Sequence, residues 1–319
     1  NSMNIKERIG MEKQKRLKDK IEKLLSILNE GLIGKEKIIR LGMLAVLSGE
    51  NMILIGPPGT AKSEISRRFN KIFEEESYFE YLLTKFTTPE EIFGPLSIKK
   101  LQEDKFERNT GGYIPTSRIV FLDEIFKANS SILNTLLTII NEKVFHNGVK
   151  REKTPLISLI GASNEIPIGN DELTALYDRF LIRGMVDYIS DEEIEMLLDT
   201  ENGETVIPEE LKFSLKELEE IRKDSKEVTV SNNIKKTIID IRAEYNRVFS
   251  DEKSEIISDR KLVKIMKLLK ISAYINGRDK VNFSDLIILS NCLWNDVRNA
   301  ETITKIVLDA VKNNISRED

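Results

Sequence analysis

Cysteine and histidine are nearly absent from this sequence, and their scarcity excludes several kinds of chemistry. Cys292 is the single cysteine, so an internal disulfide or a cysteine-based zinc site is excluded, and its apolar neighbours indicate buried packing. His146 is the single histidine, which excludes histidine-rich metal chemistry and argues against Ser-His-Asp or Cys-His nucleophiles. Any chemistry must therefore come from carboxylates, amides, cations and a bound metal.

Long apolar runs and an excess of positive charge are missing as well. The longest apolar runs have the length of a strand, so none is expected to span a bilayer, and the N-terminal stretch is polar and charged, unlike a signal peptide. These features predict a cytoplasmic protein. The 49 basic and 53 acidic residues give a net charge of −4, which argues against general binding of nucleic acid or anionic membranes and leaves room only for a local basic patch.

Apolar runs of strand length alternate with helical patterns over the first part of the chain. This alternation predicts an α/β fold in which a parallel sheet is covered by helices. From about Asp191 onward helical patterns dominate, and they predict a small all-α second domain. The predicted domains are therefore residues 1–190, including an N-terminal helix, and residues 191–319. The predicted strands are residues 52–55, 79–84, 119–122, 156–162 and 182–186.

A glycine-rich turn links the first predicted strand to a helical pattern. Its residues are Gly56, Pro57, Pro58, Gly59, Thr60, Ala61, Lys62 and Ser63. In a strand, turn and helix of this order, backbone N–H groups surround phosphate oxygens, and the helix N-terminus adds partial positive charge. The turn is therefore predicted to bind the phosphates of ATP.

Three residues of this turn carry individual predictions. Lys62 is expected to reach the β- and γ-phosphates, and the Ser63 hydroxyl is expected to ligate Mg²⁺. Ala61 stands where the usual pattern has glycine, and because alanine is small and forms helices well, we expect it to be helical already. The alternative is a chance strand, turn and helix with a solvated lysine.

Polar residues follow two later strands of the predicted sheet. Asp123 and Glu124 follow the third predicted strand, and Asn164 follows the fourth, at the edge where parallel sheets place functional side chains. Asp123 is predicted to hold Mg²⁺ and Glu124 to polarise the attacking water, while Asn164 would hydrogen-bond that water and a γ-phosphate oxygen. The alternatives are an ordinary strand terminus and a simple Asx turn before Pro167.

Two arginines are candidates for stabilising a transferred phosphoryl group. A guanidinium matches the charge that develops on that group, and such a finger accelerates the reaction by about 10³–10⁵-fold. Arg179 precedes the last predicted strand, Arg260 opens a helix of the second domain, and Arg183 is the runner-up. The alternative for each is an ordinary surface arginine.

The order of these motifs resembles the AAA+ ATPases, and within them the MoxR group, with the RavA-like proteins (regulatory ATPase variant A) as the most similar branch. The resemblance extends over residues 15–312, and a small residue at position 61 recurs in this group. The stretches that carry it, besides the motifs above, are residues 86–97, 121–128, 134–138, 162–167 and 292–294.

This resemblance implies a five-stranded P-loop domain with a small helical lid, Mg²⁺-dependent ATP hydrolysis, and a ring, usually a hexamer, with ATP between subunits. Arg179 would then act on a neighbour's γ-phosphate, and Arg260 would couple the lid to the nucleotide state. Residues 93–113 and 144–155 would form two hairpins that usually face the pore and act on a partner. Proteins of this group typically work with a von Willebrand factor A-domain partner, in chaperone-like maturation or metal-cofactor insertion. RavA-like chains also carry a further C-terminal region beyond the lid.

Two other functions stay open beside this chaperone-like ATPase. One is a DNA- or RNA-directed motor, since related hairpin-bearing ATPases include helicases; the mixture of lysines with Glu103 and Asp104 and the negative net charge argue against it. The other is a nucleotide-sensing scaffold without turnover, against which the complete set of predicted catalytic side chains argues. Nucleic acid is therefore not the expected partner.

Overall fold

The computed structural model describes residues 5–167, 169–201 and 203–315. Within these ranges the chain divides into two compact units. The sheet unit comprises Leu28–Lys212, and the helical unit comprises residues 5–27 together with residues 213–315. This division differs from the predicted domains 1–190 and 191–319, because the boundary falls after residue 212 and most of the N-terminal helix belongs with the helical unit.

The N-terminal helix α1 (Ile5–Asn29) joins the helical unit through polar contacts. Gln14 Nε2 donates hydrogen bonds to the carbonyls of Tyr274, at 3.0 Å, and Arg278, at 2.9 Å. Lys13 Nζ forms ion pairs with two carboxylates of the same unit, each at 2.9 Å. Helical periodicity shows that a helix has an apolar face but not which partner covers that face, so the sequence alone did not place α1.

The sheet unit contains the predicted five-stranded parallel sheet. Its strand order is β2-β3-β6-β1-β7. Every residue of β1 and β6 is buried, so helices cover both faces of the sheet, as a parallel sheet requires. The predicted strand ends agree with the structure to within two residues. The strands are β1 (Asn51–Ile55), β2 (Tyr78–Leu82), β3 (Ile119–Asp123), β6 (Ser158–Ser163) and β7 (Phe180–Met185).

Two further strands, β4 (Val144–Asn147) and β5 (Lys150–Lys153), form an antiparallel hairpin in the second predicted hairpin segment. Gly148, with φ of 64°, takes the first position of its two-residue loop, where a left-handed conformation is needed. The first predicted hairpin segment also folds back on itself, through an antiparallel bridge between Leu96 and Arg108.

The helices of the sheet unit pack against the sheet and against one another. Gly42 of α2 allows close packing on α3, because a Cβ at this position would lie 2.3 Å from Phe69 Cε2. A 3₁₀ turn at Ile125–Lys127 follows β3 directly. The helices are α2 (Glu36–Ser48), α3 (Lys62–Asn70), α4 (Pro89–Phe93), α5 (Ile98–Leu101), α6 (Ser130–Glu142), α7 (Asp171–Tyr177) and α8 (Ile194–Leu198).

The helical unit is all-α, as predicted for the second domain. Its core includes Trp294 and Cys292, both fully buried, which agrees with the packing role expected for the cysteine. A buried carboxylate, Glu255, accepts hydrogen bonds from the Tyr245 hydroxyl and from the backbone N–H of Asn295. In the described ranges, no helix combines the length and apolarity needed to cross a membrane. Besides most of α1, the helices are α9 (Leu215–Asp224), α10 (Asn232–Val248), α11 (Asp259–Ile275) and α12 (Ala300–Ile315).

Candidate nucleotide site

The carboxyl ends of β1, β3 and β6 meet at one edge of the sheet. Ile55 at the end of β1 pairs with Ser163 at the end of β6, and Leu122 of β3 pairs with Gly161 of β6. The Gly56 N–H donates to the Ser163 carbonyl at 3.0 Å, which joins the start of the glycine-rich turn to the end of β6. The three predicted motifs therefore open on the same edge, as expected for parallel strands.

The glycine-rich turn forms a cradle of backbone donors. Among the described residues, no hydrogen-bond acceptor is found for the N–H groups of residues 59–63. Gly59 has φ of 77°, and a Cβ built there would meet nothing within 4 Å, so the turn faces open space. Open N–H groups at the start of a helix, α3, fit the phosphates of a nucleotide.

Gly56 is required for a different reason from the one expected. A Cβ at this position would lie 1.7 Å from the carbonyl oxygen of Val186, just beyond β7. A glycine directly after a strand indicates only that the chain turns sharply out of that strand. The structure shows that Gly56 also lets two backbone segments touch, which no other residue permits.

The prediction for Ala61 was wrong. Ala61 is not helical: it precedes α3 with φ of 63° and ψ of 22°, in the left-handed region. A Cβ in this region crowds the next carbonyl and costs about 1–2 kcal/mol. The good helix propensity of alanine pointed the other way, whereas the usual glycine at this position would have indicated the left-handed turn.

Lys62 is held over the cradle. Its ammonium donates hydrogen bonds to the carbonyls of Gly56, at 2.7 Å, and Pro57, at 2.8 Å. The residue is 8% exposed, and burial lowers the pKa of Lys62 below its ordinary value, while the negative charges of Asp123 and Glu124 act in the opposite direction. The lysine and the two carboxylates are therefore close enough to interact electrostatically.

Asp123 and Glu124 form a sharp corner at the end of β3. The Glu124 N–H donates to Asp123 Oδ1 at 2.8 Å, and Glu124 has φ of 51°, in the left-handed region. The Glu124 carboxylate lies 3.6 Å from the ammonium of Lys127. Uncommon backbone conformations of non-glycine residues cluster at functional sites, so the corner supports a role for the two carboxylates.

Asn164 lies just beyond β6 at the same edge and is exposed. The turn that follows β6 is formed by Ser163, whose hydroxyl donates to the Glu165 carbonyl at 2.7 Å and accepts from the Glu165 N–H at 3.2 Å. The simple Asx turn considered from the sequence is therefore replaced by a serine turn. The exposed Asn164 therefore follows β6 at the same end of the sheet as the start of the glycine-rich turn.

Arg179 lies at the opposite end of the strands from the glycine-rich turn, on the side where β1 and β7 begin. Its carbonyl accepts a hydrogen bond, at 3.4 Å, from the side chain of Asn51, the first residue of β1. At about 3.3 Å per residue, the length of β1 separates this end from the cradle by on the order of 15 Å. Arg179 is therefore not brought to the cradle of its own chain.

The other two arginines have different surroundings. Arg183 is 1% exposed; its Nε donates to the Phe180 carbonyl at 3.1 Å, and its guanidinium lies 4.1 Å from the centroid of the Tyr177 ring. A side chain this deeply buried does not reach another molecule, so the structure contradicts the prediction of Arg183 as the runner-up arginine finger. Arg260 is exposed in the first turn of α11, in the helical unit.

Two buried or capping asparagines were missed by the sequence analysis. Asn51 accepts a hydrogen bond from the Leu159 N–H at 2.9 Å and so ties β1 to β6. Asn129 caps α6, and its Nδ2 donates to the Thr87 carbonyl at 2.8 Å, which ties the segment after Glu124 to the loop before α4. An asparagine directly before a helical pattern is an N-cap signal, so only Asn129 was detectable from sequence.

Among the described residues, no group of three or more histidine, cysteine, aspartate or glutamate side chains is arranged to hold a metal. Of the chain's own groups at this edge, Ser63 and Asp123 have the oxygen atoms that Mg²⁺ prefers. A magnesium ion with so few protein ligands depends on phosphate oxygens for the rest, which fits the donor cradle next to it.

A sequence model of the MoxR domain in MoxR–vWA–beta-propeller ternary systems matches residues 19–223. The chain belongs to the MoxR family of AAA+ ATPases. A model of the AAA lid domain matches residues 233–307, which lie in the helical unit. The sheet order and the all-α lid of this MoxR ATPase agree with that assignment.

Relatives of this MoxR ATPase are found in archaea and in a virus. An uncharacterized protein of Methanocaldococcus jannaschii is 42% identical over 298 residues, which cover 91% of this chain and 74% of the relative. A second uncharacterized protein of that organism is 44% identical over 279 residues, covering 86% and 72%. A structural protein of Acidianus two-tailed virus is 30% identical over 226 residues, covering 66% of this chain and 36% of the viral protein.

Two solved structures show the same fold. A candidate ATPase from Cytophaga hutchinsonii has a TM-score of 0.74 and 20% identity, and the match covers 96% of this chain and 98% of the other. A full-length MCM homolog from Methanopyrus kandleri has a TM-score of 0.56 and 12% identity, covering 98% of this chain and 63% of the other. At these identities the similarity concerns the fold alone.

Proposed function

We propose that this MoxR-family ATPase binds Mg²⁺ and ATP at the carboxyl edge of its sheet and uses hydrolysis for chaperone-like remodelling or maturation of a protein partner. The observation that supports the site most strongly is the cradle of open N–H groups at residues 59–63, which opens at the end of the sheet where β3 leads into Asp123 and Glu124. A turn lined with N–H donors beside two carboxylates is suited to phosphates and a metal.

Each group of the chain has one task in this proposal. The cradle and Lys62 hold the phosphates, with residues 56–63 as the binding segment. Ser63 and Asp123 would hold Mg²⁺, which would neutralise negative charge on the phosphates. Glu124 orients the attacking water and takes its proton, and Asn164 hydrogen-bonds the same water.

The position of Arg179 supports assembly into a ring, with a hexamer as the expected form. Because Arg179 lies at the other end of β1 from the cradle of its own chain, on the order of 15 Å away, its position supports a role on a neighbour's γ-phosphate rather than on its own. We assign Arg260, exposed on the helical unit, to coupling that unit to the nucleotide state.

A von Willebrand factor A-domain protein is the proposed partner, because the MoxR domain that matches this chain is described from MoxR–vWA systems. The RavA-like branch is the proposed subgroup. A nucleic-acid motor is the second candidate, since the fold is shared with an MCM homolog, but the net charge of −4 favours a protein partner. Strong stimulation of ATP turnover by DNA would favour the motor instead.

Glu124→Gln tests the assignment of the water-orienting carboxylate. We expect this variant to bind ATP as tightly as the wild type and to lose about 10²-fold or more of its turnover, because the amide no longer takes the proton. ATP binding is measured by titration calorimetry and turnover by phosphate release. Glu165→Gln, which changes an exposed carboxylate two residues after the end of β6, serves as the matched control. Wild-type turnover in Glu124→Gln would defeat the assignment.

A further inference from the structure

Residues 94–109, here called the insert, close into a loop between α4 and the 3₁₀ turn before β3. The Asn109 N–H donates to the Pro95 carbonyl at 2.8 Å, and the Ser97 N–H donates to the Glu107 carbonyl at 2.8 Å. At the base, Gly94 has φ of 109°, and a Cβ there would lie 2.1 Å from the Asn109 carbonyl oxygen. The insert is therefore a closed, hydrogen-bonded element.

The β4–β5 hairpin docks on this insert although 39 residues separate the main contacts. Asn147 is buried; its Oδ1 accepts from the Arg108 N–H at 2.6 Å, and its Nδ2 donates to the Arg108 carbonyl at 3.1 Å. The Asn147 amide thus bonds both the N–H and the carbonyl of Arg108, as the backbone of a neighbouring strand would. The two hydrogen bonds hold the hairpin in one position on the insert.

Three further contacts support the docking. The ammonium of Lys150 lies 3.3 Å from the Glu107 carboxylate. Gly148 lies against the insert, since a Cβ there would be 2.6 Å from the Phe106 carbonyl oxygen. The ring of Phe145 in β4 stacks on that of Phe93, with centroids 5.7 Å apart. The insert and the hairpin therefore form one body, here called the projection.

The tip of the projection exposes large apolar side chains. Val149 is 100% exposed, Ile98 is 75% exposed and Phe106 is 68% exposed. Val149 follows the glycine that touches Phe106, and Ile98 follows Ser97, whose N–H is bonded to the carbonyl of the residue after Phe106, so all three lie close together on the projection. Exposed apolar side chains grouped in this way mark an interaction surface rather than ordinary surface composition.

Positive charge surrounds these apolar side chains. The insert (residues 94–109) and the hairpin (residues 144–153) contain seven lysines and arginines against four aspartates and glutamates, whereas the whole chain has a net charge of −4. This is the local basic patch for which the overall composition left room. A binding segment that complements it carries apolar side chains between acidic ones.

The projection is connected to the nucleotide edge at two places. The insert follows α4, whose preceding loop is held by Asn129, five residues after Glu124. The hairpin lies between α6 and β6, and β6 leads to Asn164. The segments that carry the carboxylates and Asn164 are therefore each connected to the projection, one through the insert and the other through the hairpin.

We infer that the insert and the hairpin work as a single projection whose basic, apolar tip binds an apolar segment flanked by acidic residues on the protein partner, with Asn147 as the residue that couples the two parts. The inference rests on the proposed function and names the chemistry that this function recognises. Two of the three exposed apolar side chains at the tip, Ile98 and Val149, are aliphatic and so favour a protein segment over nucleic acid, which is bound through phosphate contacts and aromatic stacking.

Coupling by Asn147 is tested by hydrogen exchange. We expect Asn147→Ala to speed exchange of the Arg108 amide by about tenfold or more, because that amide loses its acceptor, and to raise exchange across the insert. Asn147→Asp keeps the acceptor and should protect the Arg108 amide better than alanine does. Unchanged exchange in the insert of Asn147→Ala would show that the two elements are not coupled through this residue.

Recognition by the tip is tested with a synthetic peptide in which leucine and glutamate alternate. The double variant Phe106→Ser, Val149→Ser should weaken binding of this peptide by about tenfold or more, since two apolar contacts are lost. Val149→Ser alone cannot disturb folding, because the side chain is fully exposed, and should weaken binding less. The matched control is Leu198→Ser, an exposed leucine of the same unit outside the projection, which should bind as the wild type does.

Three outcomes would overturn the recognition proposal. They are equal binding by wild type and double variant, tighter binding of a leucine–lysine peptide, and preferential binding of single-stranded oligothymidylate. ATP turnover of the wild type without peptide is measured separately. Absence of turnover refutes the proposed function, whereas turnover combined with any of the three outcomes refutes only the inference about the tip.

Discussion

Replacing Ala61 by glycine is expected to stabilise the sheet unit. Ala61 sits in the left-handed region, with φ of 63°, where its Cβ costs about 1–2 kcal/mol. Glycine removes this cost, but it also makes the unfolded chain more flexible, which costs about 0.4–1 kcal/mol. The balance is a net gain on the order of 1 kcal/mol.

The gain is measured by calorimetric unfolding of the full chain. For a unit of this size, about 1 kcal/mol raises the midpoint by about 2–4 °C. The transition of the sheet unit is identified by the shift that ADP produces, because a ligand stabilises the unit that binds it. If the glycine-rich turn keeps its conformation when ADP binds, Ala61→Gly raises the midpoint by the same amount with and without ADP.

Two matched substitutions bracket the expected result. Asp104→Gly also replaces a left-handed residue, with φ of 57°, and should stabilise less, because aspartate tolerates this region better than alanine. Ala128→Gly replaces a residue with φ of −55° and should destabilise, since no strain is relieved there. A fall in midpoint for Ala61→Gly as large as that for Ala128→Gly would refute the strain argument.

Three further predictions concern the same site. Arg179→Ala should keep nucleotide affinity and lose turnover, and mixing it with Lys62→Ala should restore activity; no rescue at any ratio would count against action across subunits. Gly56→Ala should prevent stable folding of the sheet unit by circular dichroism, because its Cβ would lie 1.7 Å from the Val186 carbonyl oxygen, whereas Gly111→Ala, in open space, should fold normally. Burial lowers the pKa of Lys62, so below that pKa the charged lysine destabilises the folded state relative to the unfolded state. Lys62→Met should therefore have a higher melting temperature than the wild type at neutral pH, and the difference should vanish as the pH rises to 10.5. A constant difference in melting temperature over this pH range would contradict the reasoning.

Much of the candidate site could be predicted from the sequence because its signals are local. The glycine-rich turn lies between a strand and a helix, and Asp123, Glu124 and Asn164 follow apolar runs directly. Parallel strands bring their carboxyl ends to one edge, so a linear order of motifs predicts a spatial cluster. The structure shows the motifs of that cluster opening at one end of the sheet, with the Lys62 ammonium bonded to carbonyls of the glycine-rich turn.

Other features depend on contacts that no local pattern encodes. The burial of Arg183 follows from its place in β7 beside the Tyr177 ring, a contact that the residues next to it in sequence do not indicate. The left-handed conformation of Ala61 opposes the helix propensity of alanine and is imposed by the turn around it. The docking of Asn147 on the Arg108 backbone joins segments far apart in the chain.

By itself the sequence determined the parallel sheet, the all-α second part and the glycine-rich turn after β1, because strand and helix periodicity and turn chemistry act over a few neighbouring residues. Only the tertiary structure decided which unit α1 joins, which end of the strands Arg179 occupies and whether the two hairpin segments form one projection. Each of these depends on which distant side chain satisfies a buried polar group or covers an apolar face, and that choice is made only when the whole chain packs.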